Sequence, residues 1–491
     1  MNHFLKNKPV FIFLLPLFFV LHEFVRNYYA VPVGGALLLL STYLLFALAI
    51  TLAAWLVYRN VVKAAIFAAA GMGFQFFFGT MQDGLKNLPL PLLSQYRFIV
   101  SISLLFFAAL AIAIYKTRRR FLRLNYYLNM LFSFLLLTDT AWLFIKITHE
   151  QNYQVINHLM DGRSIPPKYS KPDIYLLLMD QYAGNNALNR LYHFDNSVFL
   201  DALKNRGFYI AAASRSNYNL TPFSMASALS MNYLDPAMAV PAKLNLGYCY
   251  QAIRNCSVVK FLQNNGYAFY NYSVFDFPGQ PAHKYEAFLP YGTDLIRLST
   301  FTGRVRRDII NSIKEGKFGS AKERENLVYE DLYYNDSTFS LTKQAALQKT
   351  GTARFVYSHF MLPHFPYYFD REGKPLPIGK LTDFKRTNSR DYLDYLQWAN
   401  KKILDLVDYI QAHSSRPPVI LLLSDHGSRH LNKGEENTND FSNLNAVFIP
   451  GQDYRQFYDS LTNVNQFRVL FNSCFEQNLR LLKDSTSDVK K

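Results

Sequence analysis

The chain has 491 residues, 50% hydrophobic, 16% aromatic and 18% charged, with a formal net charge of +16. Charge below the usual ~25% and a heavy load of Phe and Tyr exclude a disordered or coiled-coil protein. Three cysteines are too few for a disulfide scaffold or a cysteine-rich zinc array. The mean hydropathy of −0.04 suits an ordinary soluble enzyme, but it averages two unlike materials.

Residues 1–148 carry 13 Lys/Arg and 3 Asp/Glu, a net of +10, which leaves +6 for the other 343 residues. Crossing the hydrocarbon core takes about 20 apolar residues. Five runs are predicted to do so, at about 9–25, 33–57, 61–80, 98–115 and 125–147. The first lacks a small-x-small cleavage site and four more follow it, so it reads as a span and not as a cleaved signal. Lys6, Lys8, Arg59, Lys63, Lys116, Arg118, Arg119, Arg120 and Arg123 fall on one side of these spans. Only Arg26, Lys86, Arg97 and Lys146 fall near the other. Basic residues mark the cytoplasmic side, and an odd number of spans then puts everything after Lys146 outside. The expected setting is a bacterial-type inner or plasma membrane, crossed several times. Most of the positive charge is thus an orientation signal and not a nucleic-acid footprint. Glu23 and Asp139 lie within the apolar runs, where ionisable groups are costly. They either bond neighbouring helices or line a headgroup pocket.

A polar linker over 149–170, with Pro166 and Pro167, leads to the second material, an α/β domain over 171–491. Residues 173–179 form an apolar run ending in Asp180 and read as a buried parallel strand. Beyond it the pattern predicts helix 195–206, strand 208–213, helix 221–232, helix 257–265, strand 267–274 and strand 354–361. Helix 390–412, strands 418–424 and 445–449 and a closing helix near 463–482 complete it, with 300–350 as a polar helical insertion. This alternation predicts a mixed, mostly parallel sheet between two helical layers.

Ligands of open α/β sheets bind beyond the carboxyl ends of the strands. Asp180 stands at one such end, and Asp425-His426-Gly427 stands at another, after the apolar run Val419–Leu423. The 354–361 strand leads into His359-Phe360-Met361-Leu362-Pro363-His364-Phe365-Pro366, where the prolines fix a loop from which His364 can project. Carboxylate and imidazole ligands of this kind suit zinc or manganese. Thr221-Pro222 reads as a helix start with Thr221 as the N-cap, since proline favours the first helical position. A threonine there, held by a divalent cation, becomes a candidate nucleophile. Asp276, Arg215, Asn219, Arg429 and His430 are secondary candidates as a ligand or substrate contacts. Cys249 and Cys256, seven apart in the outward domain, either form a disulfide or stay free, while Cys474 reads as unpaired.

Five spans followed by Asp180, Thr221-Pro222, His359 and His364, and Asp425-His426-Gly427 resemble the membrane-anchored alkaline phosphatase/sulfatase superfamily. The layout is most similar to phosphoethanolamine transferases and lipoteichoic acid synthases. The resemblance implies that Asp180, Thr221, Asp425 and His426 hold a divalent metal, with Thr221 as nucleophile. It implies that His364, with His359, binds phosphate or assists the leaving group. A phospho-group would pass from a membrane phospholipid to an envelope lipid or glycan. Hydrolysis of a phosphate or sulfate ester, or a non-catalytic envelope role, are the other readings. The sulfatase Cys/Ser-x-Pro-x-Arg motif is replaced here by Thr221-Pro222-Phe223-Ser224-Met225. Phosphoethanolamine transferases tend to carry Glu where this chain has Asp180.

Overall fold

The computed structural model describes residues 2–28, 31–153, 159–234, 246–283, 292–383, 389–428 and 440–489. It divides into two compact units, Met1–Tyr153 with Pro290–Asn311, and Gln154–Leu289 with Ser312–Lys491. Residues 290–311 thus belong with the apolar helices, although the sequence reading places them in the outward domain.

The first unit holds the helices Phe11–Arg26, Val33–Tyr58, Val61–Lys86, Tyr96–Lys116 and Leu122–Tyr153. Four of these, all but the first, are long and apolar enough to cross a membrane. Four of the five expected runs thus form helices of spanning length among the described residues, and the first run forms a shorter helix. The Phe11–Arg26 helix has only 16 residues, a rise of about 24 Å against a core of about 30 Å. It starts after a helix break that follows Asn2–Asn7, and side chains meet the backbone groups freed there. Asn125 and Asn129 donate to the Leu5 and Lys8 carbonyls at 2.6–3.3 Å, and the Phe11 N–H donates to Asn129 Oδ1 at 2.6 Å. In an apolar medium such groups have no water to fall back on. Asp139 lies 3.2 Å from His22 Nδ1 on the Phe11–Arg26 helix, and Glu23 pairs with Arg26 at 2.9 Å. Asp139 therefore bonds a neighbouring helix, the first of the two roles expected for it.

Residues 292–311 pack into this helical unit. Gln75 donates to Thr302 Oγ1 at 2.6 Å, Gly79 N–H donates to Ser299 O at 2.9 Å, and Arg304 forks onto Asp83 at 2.9 and 2.6 Å. Tyr96 donates to Asp308 at 2.6 Å, and Phe301 meets Phe78 edge-on with ring centres 4.9 Å apart.

The second unit contains a six-stranded sheet. Its strands are β1 (Ile174–Met179), β2 (Tyr209–Ile210), β3 (Ala268–Tyr272), β4 (Arg354–Phe360), β5 (Val419–Ser424) and β6 (Asn445–Phe448). Their order is β2-β6-β5-β1-β4-β3. β1, β3, β4 and β5 run parallel, and β6 is antiparallel to both β5 and β2. β1 and β5 are buried along their whole length, as their unbroken apolar runs require. On one face Tyr175, Leu177, Val356 and Leu422 pack against Tyr395, Leu396, Ile403 and Leu406 of the Ser389–His413 helix. On the other, Phe355 meets Phe467 of the Asn463–Phe475 helix edge-on. Each fully buried Leu, Ile or Phe contributes about 1.5–3 kcal/mol.

The elements differ from expectation in four places. β2 is only two residues long, two short helices, Asn185–Tyr192 and Leu246–Arg254, were not expected, and the closing helix stops at Phe475. It ends because Glu476 turns left-handed at φ 50°. The 300–350 insertion resolves into Phe301–Lys314, Ala321–Val328 and Glu330–Leu347. Cys249, Cys256 and Cys474 are all free thiols, so the open question of a Cys249–Cys256 disulfide closes in the negative.

Candidate metal centre

Strand register builds the centre. Met179 pairs with Ser424 on β5 and with Phe360 on β4. The next residues, Asp180 and Asp425, therefore leave the sheet side by side at its carboxyl edge. Ligand atoms of Asp180, Asp425 and His426 lie within 4.8 Å of one another, and all three residues are fully buried.

Hydrogen bonds fix how the groups face. His426 Nδ1 is 2.8 Å from the Gly427 carbonyl, which can only accept, so Nδ1 carries the proton and Nε2 presents a lone pair. That Nε2 is 3.1 Å from Asp425 Oδ2, an oxygen that accepts no hydrogen bond among the described residues. Two lone pairs facing one another in a buried site need a positive charge between them. The other carboxylate oxygen of Asp425 accepts from the Gln181 N–H at 3.1 Å. Gln181 adopts φ 61°, an uncommon backbone for a side chain of this kind, and this turn directs its N–H there.

His359, near the carboxyl end of β4, places Nε2 3.2 Å from Asp180 Oδ2. Burial pulls its imidazole down to about 4, against the opposing pull of the Asp425 carboxylate. A neutral ring donating Nε2–H to Asp180 orients that carboxylate, as ligand-supporting groups commonly do. Two carboxylates and an imidazole nitrogen, converging in a dry site with an outer imidazole, fit a divalent cation such as zinc or manganese.

Thr221 closes the constellation. It is buried and its Oγ1 lies 3.3 Å from His426 Nε2. The helix spans Thr221–Ser230 with Leu220 in the capping position. Thr221 is therefore the first helical residue and not the N-cap, one place further in than the sequence implies. Its hydroxyl still sits at the positive end of the helix dipole.

A polar network clamps this helix to β5. Ser224 donates to the Asp425 carbonyl at 2.6 Å. Asn463 donates to the Ser424 carbonyl at 3.0 Å, and Asn443 donates to the same oxygen at 2.7 Å. Ser424 Oγ donates to the His426 carbonyl at 2.7 Å and accepts from the Tyr182 N–H at 3.0 Å. The sequence carries no local signal for Asn443 and Asn463, because their partners lie 19–39 positions away.

The remaining candidates divide. His364 is half-buried on the loop after β4, with Nδ1 2.5 Å from the Phe365 carbonyl. Asn219 is occupied at both ends of its amide, by Asp488 at 2.5 Å and the Val489 N–H at 2.9 Å. Asp276 pairs with Arg254 instead of joining the cluster. Arg215 is exposed on the loop before Thr221. Arg429 and His430 lie outside the described residues.

Fold and site together define an α/β unit with a candidate metal centre at its strand ends, in one chain with apolar helices long enough to cross a membrane. No protein-family model and no curated relative matches the sequence. Among solved structures, the chain is similar to the integral membrane lipooligosaccharide phosphoethanolamine transferase A of Neisseria meningitidis. That match has 10% identity, covers 95% of this chain and 96% of that one, and has a TM-score of 0.37. The zinc complex of the C-terminal periplasmic domain of EcEptC from Escherichia coli matches at 12% identity over 62% of this chain and 83% of that one, with a TM-score of 0.37. The periplasmic domain of phosphoethanolamine transferase EptC from Campylobacter jejuni matches at 13% identity over 63% and 92%, with a TM-score of 0.34. At these identities and scores the likeness is one of layout, and the chemistry has to be read from this chain's own residues.

Proposed function

We propose that this protein is a membrane-anchored, metal-dependent transferase that moves a phospho-group from a membrane phospholipid to an envelope lipid or glycan. The observation that carries the reading is the buried Thr221 hydroxyl, 3.3 Å from His426 Nε2 within the Asp180/Asp425/His426 cluster. The unit carrying the cluster lies outside the cytoplasm in this reading, as the distribution of basic residues implies.

Asp180, Asp425, His426 and Thr221 Oγ1 would hold the cation, zinc or manganese. Bound there, it would supply Lewis acidity, lowering the hydroxyl pKa and drawing charge from the phosphoryl oxygens. Thr221 Oγ1 attacks phosphorus, the bond from phosphorus to the lipid oxygen breaks, and phosphothreonine and a lipid alcohol result. The threonine proton ends on the departing lipid oxygen, and we assign its carriage to His364. An acceptor hydroxyl then attacks phosphorus, Thr221 leaves, and it regains a proton from that hydroxyl. His359 keeps Asp180 oriented throughout, and the helix start favours the negative charge that gathers at Thr221.

Purified full-length protein, supplied with zinc or manganese and phospholipid, tests the reading. Release of a lipid alcohol that disappears in Thr221→Ala supports it. Undiminished release in that variant contradicts it.

A further inference from the structure

We propose that a cavity joined to the metal centre through Ser214, Asn443 and Ser424 is an anion subsite for a second phosphate group on the substrate. The cavity is about 350 Å³ and is lined by Asn186, Arg190, Ser214, Arg215, Ser442 and Ser460, with two small apolar residues. Two guanidinium-bearing residues, three hydroxyls and an amide line it, and no carboxylate does among the described residues. That composition fits a phosphate ester, since guanidinium groups grip such oxygens through paired, charge-assisted hydrogen bonds. The volume accommodates a phosphate together with part of the sugar or glycerol that bears it.

The frame is fixed. Arg215 is bridged through its backbone to both Ser442 and Thr462, so its side chain springs from extended, pinned chain. The single Ser214 hydroxyl proton is shared between the Leu461 carbonyl and Asn443 Oδ1, both 2.9 Å from Oγ. Gly184 packs tightly against Ser442, since a Cβ there would fall 2.6 Å from Ser442 Oγ and 2.9 Å from the Asn443 carbonyl. The same frame reaches the metal centre. Asn443, held by Ser214, donates to the carbonyl of Ser424 at 2.7 Å, and Ser424 directly precedes Asp425. Arg215 stands six positions before Thr221. A substrate with one phosphate at Thr221 and another nearby would span both sites. The subsite's place in catalysis rests on the proposed transfer reaction, but its anion binding does not.

The test uses full-length protein in detergent micelles, treated with chelator so that no metal contributes, and titrated calorimetrically with inorganic phosphate. Saturable binding is expected in the metal-free protein. Arg215→Ala should weaken it about tenfold or more, the loss of a charge-assisted contact. Ser460→Asp, an exposed position on the rim, should abolish it without altering the melting curve, and it serves if Arg215→Ala fails to fold. Absence of saturable binding in the wild type, or equal affinity in folded variants, overturns the proposal. Competition by a soluble sugar phosphate but not by phosphatidic acid in the micelles would support a glycan phosphate, and the reverse would support a lipid headgroup. Because the readout needs neither metal nor turnover, it stands or falls separately from the transferase reading.

Discussion

Thr221 Oγ1 lies 3.3 Å from Nε2 of His426, and both side chains are buried. The two residues are 205 positions apart in the chain, yet the start of the Thr221–Ser230 helix and the end of β5 bring them together. The hydroxyl is thereby held against a residue of the candidate metal cluster and kept from bulk water.

Removing that hydroxyl should remove activity and leave the fold intact. Thr221→Ala is expected to lower turnover about a thousandfold or more, because the covalent route is lost. Thr221→Ser should retain part of the rate. Steady-state kinetics beside a thermal melt separates the two variants from a folding defect.

The cluster should bind metal through its acids. Asp425→Asn and Asp180→Asn are each expected to leave purified protein with much less than the metal content of the wild type by elemental analysis. Chelation should also lower the melting temperature of the wild type, since a ligand that binds only the folded state stabilises it. An unchanged metal content in both variants would place the ion elsewhere.

Asn463 should act through Ser424 and Asp425. Asn463→Ala removes one of two donors from each of the Ser424 and Asp425 carbonyls, which keep Asn443 and Ser224, at about 0.5–1.5 kcal/mol for each hydrogen bond lost. Metal affinity should fall about 10–100-fold, as for other groups that orient ligands indirectly. A metal titration measures this, and a stability loss without a change in affinity would reduce Asn463 to a packing role.

Gly79 should be intolerant of any side chain. A Cβ at that position would come within 2.8 Å of the Ser299 carbonyl, where the Gly79 N–H now donates at 2.9 Å. Gly79→Ala is expected to cost about 1–3 kcal/mol, in the range of other overpacking changes. Detergent-solubilised melts measure it. Protease sensitivity around residues 292–311 should rise in parallel if these residues dock as described.

Much of the α/β unit was legible because β1 and β5 carry unbroken apolar runs, and such strands place their polar followers at one sheet edge. Asp180, Asp425 and His426 were found this way. His359 was legible as a residue of β4, but its contact with Asp180 depends on β1–β4 register, which no local pattern reveals. Asn443 and Asn463 look like ordinary loop and helix-start polar residues until their partners across the fold are known. The docking of 292–311 depends on Gln75 meeting Thr302 and Asp83 meeting Arg304, more than 200 positions apart. The first apolar run has the composition of a span, and its helix, Phe11–Arg26, has 16 residues. The arginine-lined cavity was hidden because Arg190, Arg215, Ser442 and Ser460 converge from separate segments.

Mass spectrometry of the tryptic peptide Ser216–Lys243 after incubation with metal and phospholipid tests the central claim most directly. A mass gain localised to Thr221, dependent on metal and discharged by acceptor, is the expected result. Continued turnover with no adduct on Thr221, and undiminished turnover in Thr221→Ala, would contradict it.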